Sequence, residues 1–311
     1  MTLRGRRRSD PPPAQPRAVA LSIVTVLHES APELPRLLRS IDAHLHPSPQ
    51  IVVVDSGSTD GGAELAREAG AEVIVLEGNP GFGAATNAGV RRAQHEVTAL
   101  LNPDCELPDD SLADLAARAA TADALLVPRL LDPDGSPQRS AHPLPGRPAA
   151  LLRAVLPGPA LPQPHLARRT RAVGWAIAAC LVARTELLRR LGPFDPDAFL
   201  FYEDLDLCLR ARQAGVPTVL HPDVRVRHLG GRSTERAFGA EPFELQARRR
   251  REVIGARLGQ AALSVDDAAQ ALTFGLRAAV GRDRGRNVAA LKALHTARRV
   301  TPARQQDTRT G

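Results

Sequence analysis

Ile51-Val-Val-Val-Asp55-Ser-Gly-Ser-Thr-Asp-Gly-Gly62 is the stretch that decides the fold. Its first half is a short apolar run of β-branched residues, the composition of a strand buried on both faces. Its second half is a small-residue turn that caps a helix, and that helix ends near Gly70. Upstream, Ala18 to Leu27 reads as a buried strand. Leu34, Leu37, Leu38, Ile41 and Leu45 then follow at helical spacing. Downstream, Val73 to Leu76 predicts a third strand, 84–93 a helix, and Val97 to Leu101 a fourth strand. Leu112, Leu115, Ala116 and Ala119 mark the next helix, and Leu125 to Val127 a further strand. Strands alternating with helices at this spacing predict an α/β fold with a mostly parallel sheet flanked by helices. Such sheets bind ligands beyond the carboxyl ends of their strands. Asp55, the Asn79–Asn87 run and Asn102-Pro-Asp104 all stand at strand ends and are expected to share one edge.

The rest of the chain divides unevenly. Residues 1–17 are rich in Arg and Pro and are expected to be a disordered tail. Residues 18–238 hold the α/β domain. Residues 239–311 form a basic helical extension with a disordered end. Within the domain, 141–170 is rich in Pro and Arg and reads as a long flexible loop. Regular pattern resumes at Val173, with strands near Val216 to Leu220 and Val224 to Val226.

The 311 residues are 43% hydrophobic, enough for a proper core, and carry a net charge of +7 with a pI near 10.6. That balance favours acidic partners such as anionic lipid, nucleic acid or a phosphorylated substrate. The excess lies at Arg4 to Arg8, Arg248 to Arg251 and Arg277 to Arg304, while the middle is acidic in patches. Three well-separated cysteines, Cys105, Cys180 and Cys208, argue for reduced thiols and a cytoplasmic protein. The basic N-terminus lacks an apolar core, so no signal peptide is expected, and no run is long enough to span a membrane. Aromatics for base stacking are scarce and no nucleic-acid motif is found, so a nucleic-acid partner is not expected.

The motifs carry the chemistry. Asp55-Ser-Gly-Ser-Thr-Asp60 offers a carboxylate to a base or ribose and amides to a phosphate, or it is an ordinary capped turn. Asn79-Pro-Gly-Phe-Gly-Ala-Ala-Thr-Asn87 opens a helix, and Gly81 and Gly83 allow backbone to approach a ligand. Its glycine spacing fits neither a Walker nor a dinucleotide motif. Asp104 either holds a divalent cation against a diphosphate or caps its turn. His228 can complete such a site if the chain folds back. Finally, Phe199-Leu-Phe-Tyr-Glu-Asp-Leu-Asp-Leu-Cys-Leu-Arg210 places Glu203, Asp204 and Asp206 beside an aromatic wall, where a carboxylate can be tuned toward general-base work. Alternatively these acids complement a helix N-terminus, with Asp206 paired to Arg210 one turn on. Leu205, Cys208 and Leu209 fall on the core side of that turn.

Together, in this order, the motifs resemble family 2 inverting glycosyltransferases of the GT-A fold. The resemblance covers Leu21 to Ser233 and rests on SIVTVLHES, VVVDSGSTDGG, NPGFGAATNAGV, LLNPDCEL and the Val173-to-Gly215 stretch. Within the family the chain is most similar to bacterial rhamnosyltransferase-type enzymes that extend polyprenyl-linked or cell-envelope glycans. The resemblance implies Asp204 as catalytic base, with Glu203 assisting and orienting the acceptor, and Trp175 lining the acceptor side. It implies nucleotide contacts at Val26, His28, Asp55, Gly57, Gly83, Asn87 and Pro103. It implies a Mg2+ or Mn2+ ion at Asp104 and His228, with Asn102 standing where the family motif often has its first Asp. The implied partners are a nucleoside-diphosphate sugar and a glycan or polyprenyl-linked acceptor, with peripheral contact of the basic C-terminal region to anionic membrane. Two positions depart from the pattern. His28-Glu29 replaces a usual Tyr-Asn, and Ala178 stands where relatives often carry Gly. If those departures emptied the site, a non-catalytic nucleotide-sugar-binding module remains the alternative.

Overall fold

The computed structural model describes residues 19–156, 161, 163–196, 198–230 and 241–299. The expected disordered ends, the Gly231-Arg-Ser233 stretch and the expected boundary at 238 lie outside the described residues.

The chain begins β1 (Leu21–Leu27), α1 (Leu34–His44), β2 (Gln50–Asp55), α2 (Gly62–Glu68), β3 (Glu72–Val75), α3 (Phe82–Arg92) and β4 (Val97–Leu101). It continues with β5 (Cys105–Glu106), α4 (Ser111–Thr121), β6 (Leu125–Leu131), β7 (Ala141–His142) and α5 (Ala149–Val155). Then come β8 (Arg171–Val173), β9 (Trp175–Ala176), β10 (Cys180–Arg184), α6 (Thr185–Leu191), α7 (Glu203–Gln213) and β11 (Thr218–His228). Two helices close the described chain, α8 (Phe243–Ala279) and α9 (Arg284–Arg299).

The main sheet runs β3-β2-β1-β4-β10-β6-β11-β5, with β8 also against β11. β1 to β4 pair in parallel, β6 pairs with β11 in parallel, and β10 runs antiparallel to both β4 and β6. Both faces of this sheet are covered. Ile23, Val97, Ala99 and Leu101 pack with Leu37, Ile41, Leu112 and Leu115 from α1 and α4. Val24, Val26 and Leu100 pack on the opposite face with Ala85, Leu187 and Leu207 from α3, α6 and α7. A strand with apolar side chains on both faces has no amphipathic alternation, which is why these segments read as continuous runs.

Two expectations need correction. The 141–170 region is not a structureless loop, because β7 pairs with β9, bringing His142 opposite Trp175, and α5 packs on α8. Flanking prolines hide a short run of good helix formers, Ala149-Ala-Leu-Leu-Arg-Ala-Val155, whose packing partner lies about a hundred positions away. The strands expected separately at 216–220 and 224–226 are one strand, β11, with a register shift against β6 between His221 and Arg225. Pro222 sits at that irregularity, where a residue without an N–H is tolerated.

The C-terminal helices are tied to the domain. α8 breaks at Gly259 (φ 83°, ψ 173°). Its first part sends Val253 and Ile254 into a cluster with Leu205, Cys208, Leu209 and Trp175. Asp206 on α7 accepts from Arg210 Nε at 2.7 Å and from Arg257 Nε on α8 at 2.6 Å.

Candidate active site

Parallel pairing places the carboxyl ends of β1, β2, β3 and β4 on one rim, with Leu27, Asp55 and Val75 in one register row. The turn after β2 closes on Asp55, whose Oδ1 accepts from Ser58 N–H at 3.0 Å. His28 Nδ1 donates to the Ser56 carbonyl at 2.9 Å. Glu29 Oε1 accepts from the Thr59 N–H at 2.8 Å and its hydroxyl at 3.1 Å, so the unusual His28-Glu29 pair braces this turn. Gly57 (φ 71°) lies so close to the next loop that a Cβ there would stand 2.6 Å from the Gly78 carbonyl oxygen. Asn79 Oδ1 accepts from Ser56 Oγ and from Gly81 N–H, both at 3.1 Å, linking the Asp55 turn to the glycine-rich loop.

The glycine-rich loop serves a different end from the one its sequence predicts. A Cβ on Gly81 (φ 97°) would lie 2.4 Å from the Phe199 carbonyl oxygen, and one on Gly83 would lie 3.0 Å from Phe194 Cβ. The space these glycines leave is filled by the chain itself, the segment leading into α7. Asn87 is likewise taken up internally. Its Nδ2 donates to the Phe194 carbonyl at 2.8 Å and its Oδ1 accepts from Phe194 N–H at 3.0 Å. Val26 is 8% exposed and packs in the core. The side chains of Val26 and Asn87 and the face of Gly83 are therefore structural, whereas Asp55, His28, Gly57 and Pro103 stand at the rim.

At the other end of the rim, antiparallel pairing of β5 with β11 sets His228 opposite Cys105, beside Asp104. Asp104 Oδ1 lies 3.4 Å from His228 Nε2, and its Oδ2 accepts from Gly230 N–H at 3.0 Å. Burial pushes the Asp104 carboxyl up, but the hydrogen bond and charge of His228 outweigh it and leave its pKa lowered. Gln138, which sequence reading passes over, fixes the imidazole. Gln138 Nε2 donates to Asp132 at 2.8 Å, so its Oε1 is the atom 2.8 Å from His228 Nδ1. Nδ1–H must then donate, so Nε2 is the ring atom that faces the Asp104 carboxylate, and a proton or a cation between them joins the two. The donor set, one carboxylate and one imidazole, suits a small divalent ion that keeps open positions for a diphosphate and water. No group of three or more acidic, His or Cys side chains with metal-site geometry occurs among the described residues.

Between the two ends lie Glu203 and Asp204. Phe201 (φ 71°) and Tyr202 (φ 61°) both adopt the left-handed conformation immediately before α7. That conformation costs about 1–3 kcal/mol per residue and is retained where the surroundings enforce it. It turns the chain sharply into the helix, so that Glu203 and Asp204 occupy its first turn. Asp204 accepts from Leu205 N–H at 2.7 Å and from Ala178 N–H. The neighbouring Ala179 carbonyl accepts from Asn102 N–H at 2.9 Å. One short turn, 177–179, thus joins the Asn102-Pro-Asp104 loop to the first turn of α7. On the far side Phe82 N–H donates to the Phe199 carbonyl at 3.2 Å. The three carboxylates distant in sequence are therefore linked around one rim by short contacts.

Glu203 and Asp204 are partly accessible, yet desolvation raises the pKa of both, and Asp204's charge raises Glu203 further. Glu203 Oε2 is buried with no hydrogen-bond partner. Trp175 is 8% exposed, stacks on His142 at 4.1 Å and lies 6.2 Å from Tyr202, so it is mostly core with one edge on a cavity beside Tyr202. Asp206 pairs with Arg210 as expected. Its second partner, Arg257, is invisible from local spacing because it is 51 positions away.

The model for glycosyl transferase family 2 matches residues 22–173. Over 241 residues the chain is 31% identical to N-acetylglucosaminyl-diphospho-decaprenol L-rhamnosyltransferase of Mycobacterium tuberculosis, covering 70% of this chain and 78% of the relative. This chain belongs to glycosyl transferase family 2. It is a glycosyltransferase. A second relative, the low-salt glycan biosynthesis hexosyltransferase Agl10 of Haloferax volcanii, is 25% identical over 201 residues, 63% of this chain and 62% of that protein. Solved structures agree on a GT-A fold. The mannosyltransferase PcManGT from Pyrobaculum calidifontis, in complex with GDP-Man and Mn2+, superposes with a TM-score of 0.52 at 18% identity, over 90% of this chain and 74% of that one. S. aureus TarS 1-349 in complex with UDP-GlcNAc gives 0.51 at 19% identity, over 82% and 71%. No helix of the described residues is long and apolar enough to cross a membrane.

Proposed function

We propose that this glycosyltransferase moves a sugar, with rhamnose the leading candidate, from a nucleoside diphosphate to a hydroxyl of a polyprenyl-linked or other cell-envelope glycan, with inversion. The observation that carries the reading is Asp204. It is a desolvated but accessible carboxylate, held by the amides of Leu205 and Ala178 on the turn that also bonds the Asp104 loop.

In this reading Asp204 takes the proton from the acceptor hydroxyl, whose oxygen attacks the anomeric carbon opposite the diphosphate. A carboxylate with a raised pKa is a better proton acceptor near neutral pH than an ordinary one. Glu203 stays protonated more readily than Asp204 and donates a hydrogen bond that orients the acceptor. Asp55 and the amides of its turn hold the base and ribose. Asp104 and His228 are the residues that would hold Mg2+ or Mn2+. Bound there, the ion supplies positive charge against the charge that develops on the leaving diphosphate. Fixing both substrates on one rigid rim supplies much of the remaining acceleration. No second carboxylate acts as nucleophile, which fits inversion. We place the reaction at the cytoplasmic face of a membrane, with the basic C-terminal helices near anionic lipid.

Asp204→Asn tests the reading. Transfer falls by three orders of magnitude or more, while nucleoside-diphosphate binding by calorimetry stays within about threefold. Retained turnover removes Asp204 as the base.

A further inference from the structure

Beside the catalytic pair lie two adjoining cavities, about 530 and 660 Å³ in volume, between the 139–156 segment and the C-terminal helices. The first has Trp175 and Tyr202 on its floor, and Tyr202 directly precedes Glu203. Arg139, Arg153 and Arg277 line both. Acidic residues of the inner cavity are already engaged. Glu241 pairs with Arg286 at 2.6 Å, and Asp266 with Arg250 at 2.8 Å. Among the described residues no acidic side chain pairs with Arg139 or Arg277. Desolvation, and then the charges of Arg277 and Arg153, push the Arg139 pKa down. His142 lines both cavities with its Nε2 buried and unpartnered, and burial together with Arg139 and Arg250 lowers its pKa to about 3. Crowding cations around a neutral, unsatisfied imidazole costs stability unless an anion occupies the space.

The rim of the outer cavity has the opposite character. Of nine large hydrophobic residues exposed among the described residues, four line it: Val155, Leu156, Leu276 and Val280. Val280 is 77% exposed and Val155 52%. A contiguous exposed apolar strip beside a cationic pocket matches one kind of occupant, an anion carrying a long hydrocarbon.

We propose that this groove seats the diphosphate of a polyprenyl-linked acceptor on Arg139 and Arg277, with the prenyl chain along the rim formed by Val155, Leu156, Leu276 and Val280. The inference rests on the glycosyl-transfer reading above and names where its acceptor binds. The sugar attached to that diphosphate then points past Trp175 and Tyr202 toward Glu203 and Asp204. The anionic charge that the acceptor brings satisfies Arg139 and Arg277, and His142 gains a partner for Nε2.

The test uses the full chain and farnesyl diphosphate as probe, in EDTA so that the Asp104 end of the rim is not engaged. Wild type binds it, farnesol and inorganic pyrophosphate each bind at least tenfold more weakly, and Arg139→Ala and Arg277→Ala each cost about tenfold or more. Arg277→Lys, which keeps the charge, recovers part of the loss. Binding of a nucleoside diphosphate with Mn2+ is unchanged in these variants, which separates this site from the donor site and shows that they fold. No binding of farnesyl diphosphate by wild type, or equal binding by the variants, overturns the assignment and leaves the Asp204 test standing. An equal loss of affinity for phosphatidylglycerol vesicles lacking any prenyl diphosphate also overturns it, making the face a general membrane patch.

Discussion

Asp206→Ala probes the joint between α7 and the C-terminal extension. Asp206 is 6% exposed at its side chain and accepts from two guanidiniums, Arg210 at 2.7 Å and Arg257 at 2.6 Å. Removing one member of a buried ion pair costs about 3–5 kcal/mol, because the charge left behind is uncompensated. Two facts lower that figure here. Arg210 keeps the Leu191 and Pro193 carbonyls as acceptors, and Arg257, 33% exposed at its side chain, can turn to water. The expected loss is therefore about 2–4 kcal/mol, between the exposed and buried limits. For a chain of this size each kcal/mol moves the thermal midpoint by about 2 °C, so the shift is about 4–8 °C downward. Arg257→Ala alone costs less, about 1 kcal/mol. The double variant should show a coupling of at least about 0.5 kcal/mol. Denaturant titration of the four proteins reads all three quantities. An Asp206→Ala loss below 1 kcal/mol, or strict additivity with Arg257→Ala, would refute the claim that this pair clamps α8 onto the site.

Four further outcomes are expected. Because desolvation is the main cause of Asp204's raised pKa, the acid limb of kcat lies above the ordinary Asp value of about 4 and stays there in Glu203→Gln, which a pH–rate series checks. A carboxyl whose pKa is higher folded than unfolded favours the native state at low pH and loses that contribution as pH rises through the folded value, so Glu203→Gln should be more stable than wild type by at least about 1 kcal/mol at pH 9, with the difference vanishing below pH 4. Asp104→Ala weakens nucleoside-diphosphate binding by about tenfold or more with Mn2+ and hardly at all in EDTA; equal affinities with Mn2+ would remove Asp104 from the metal's ligands. Asn87→Ala, by breaking both bonds to Phe194, costs about 1–3 kcal/mol of stability while nucleotide affinity, read by calorimetry, changes less than threefold.

Much of the fold was legible because it rests on local signals. Val97–Leu101 and the Ile51-to-Asp55 run are apolar on both faces, and such runs have few other uses in a chain of this composition. The glycine-rich loop was legible as a place of close approach, but not as to what approaches. Gly81 accommodates the Phe199 carbonyl and Gly83 accommodates Phe194, both more than a hundred positions away. The 141–170 region misled because proline-rich flanks masked a short helix whose packing partner is α8.

What the sequence determined by itself is the alternation of strands and helices from β1 to β6, the short β5 excepted, the acidic pair on α7, and the polar strand ends at Asp55 and Asp104. These follow from side-chain period and from turn chemistry, which act over a few residues. Tertiary structure alone decided that His228 meets Asp104, since that depends on the register of β11 against β5. It also decided that Gln138 sets the imidazole's tautomer, that Ala178 joins Asp204 to the Asn102 loop, and that Arg257 reaches Asp206. Each of these contacts closes a loop of tens of residues or more, and loop closure leaves no local periodicity to read.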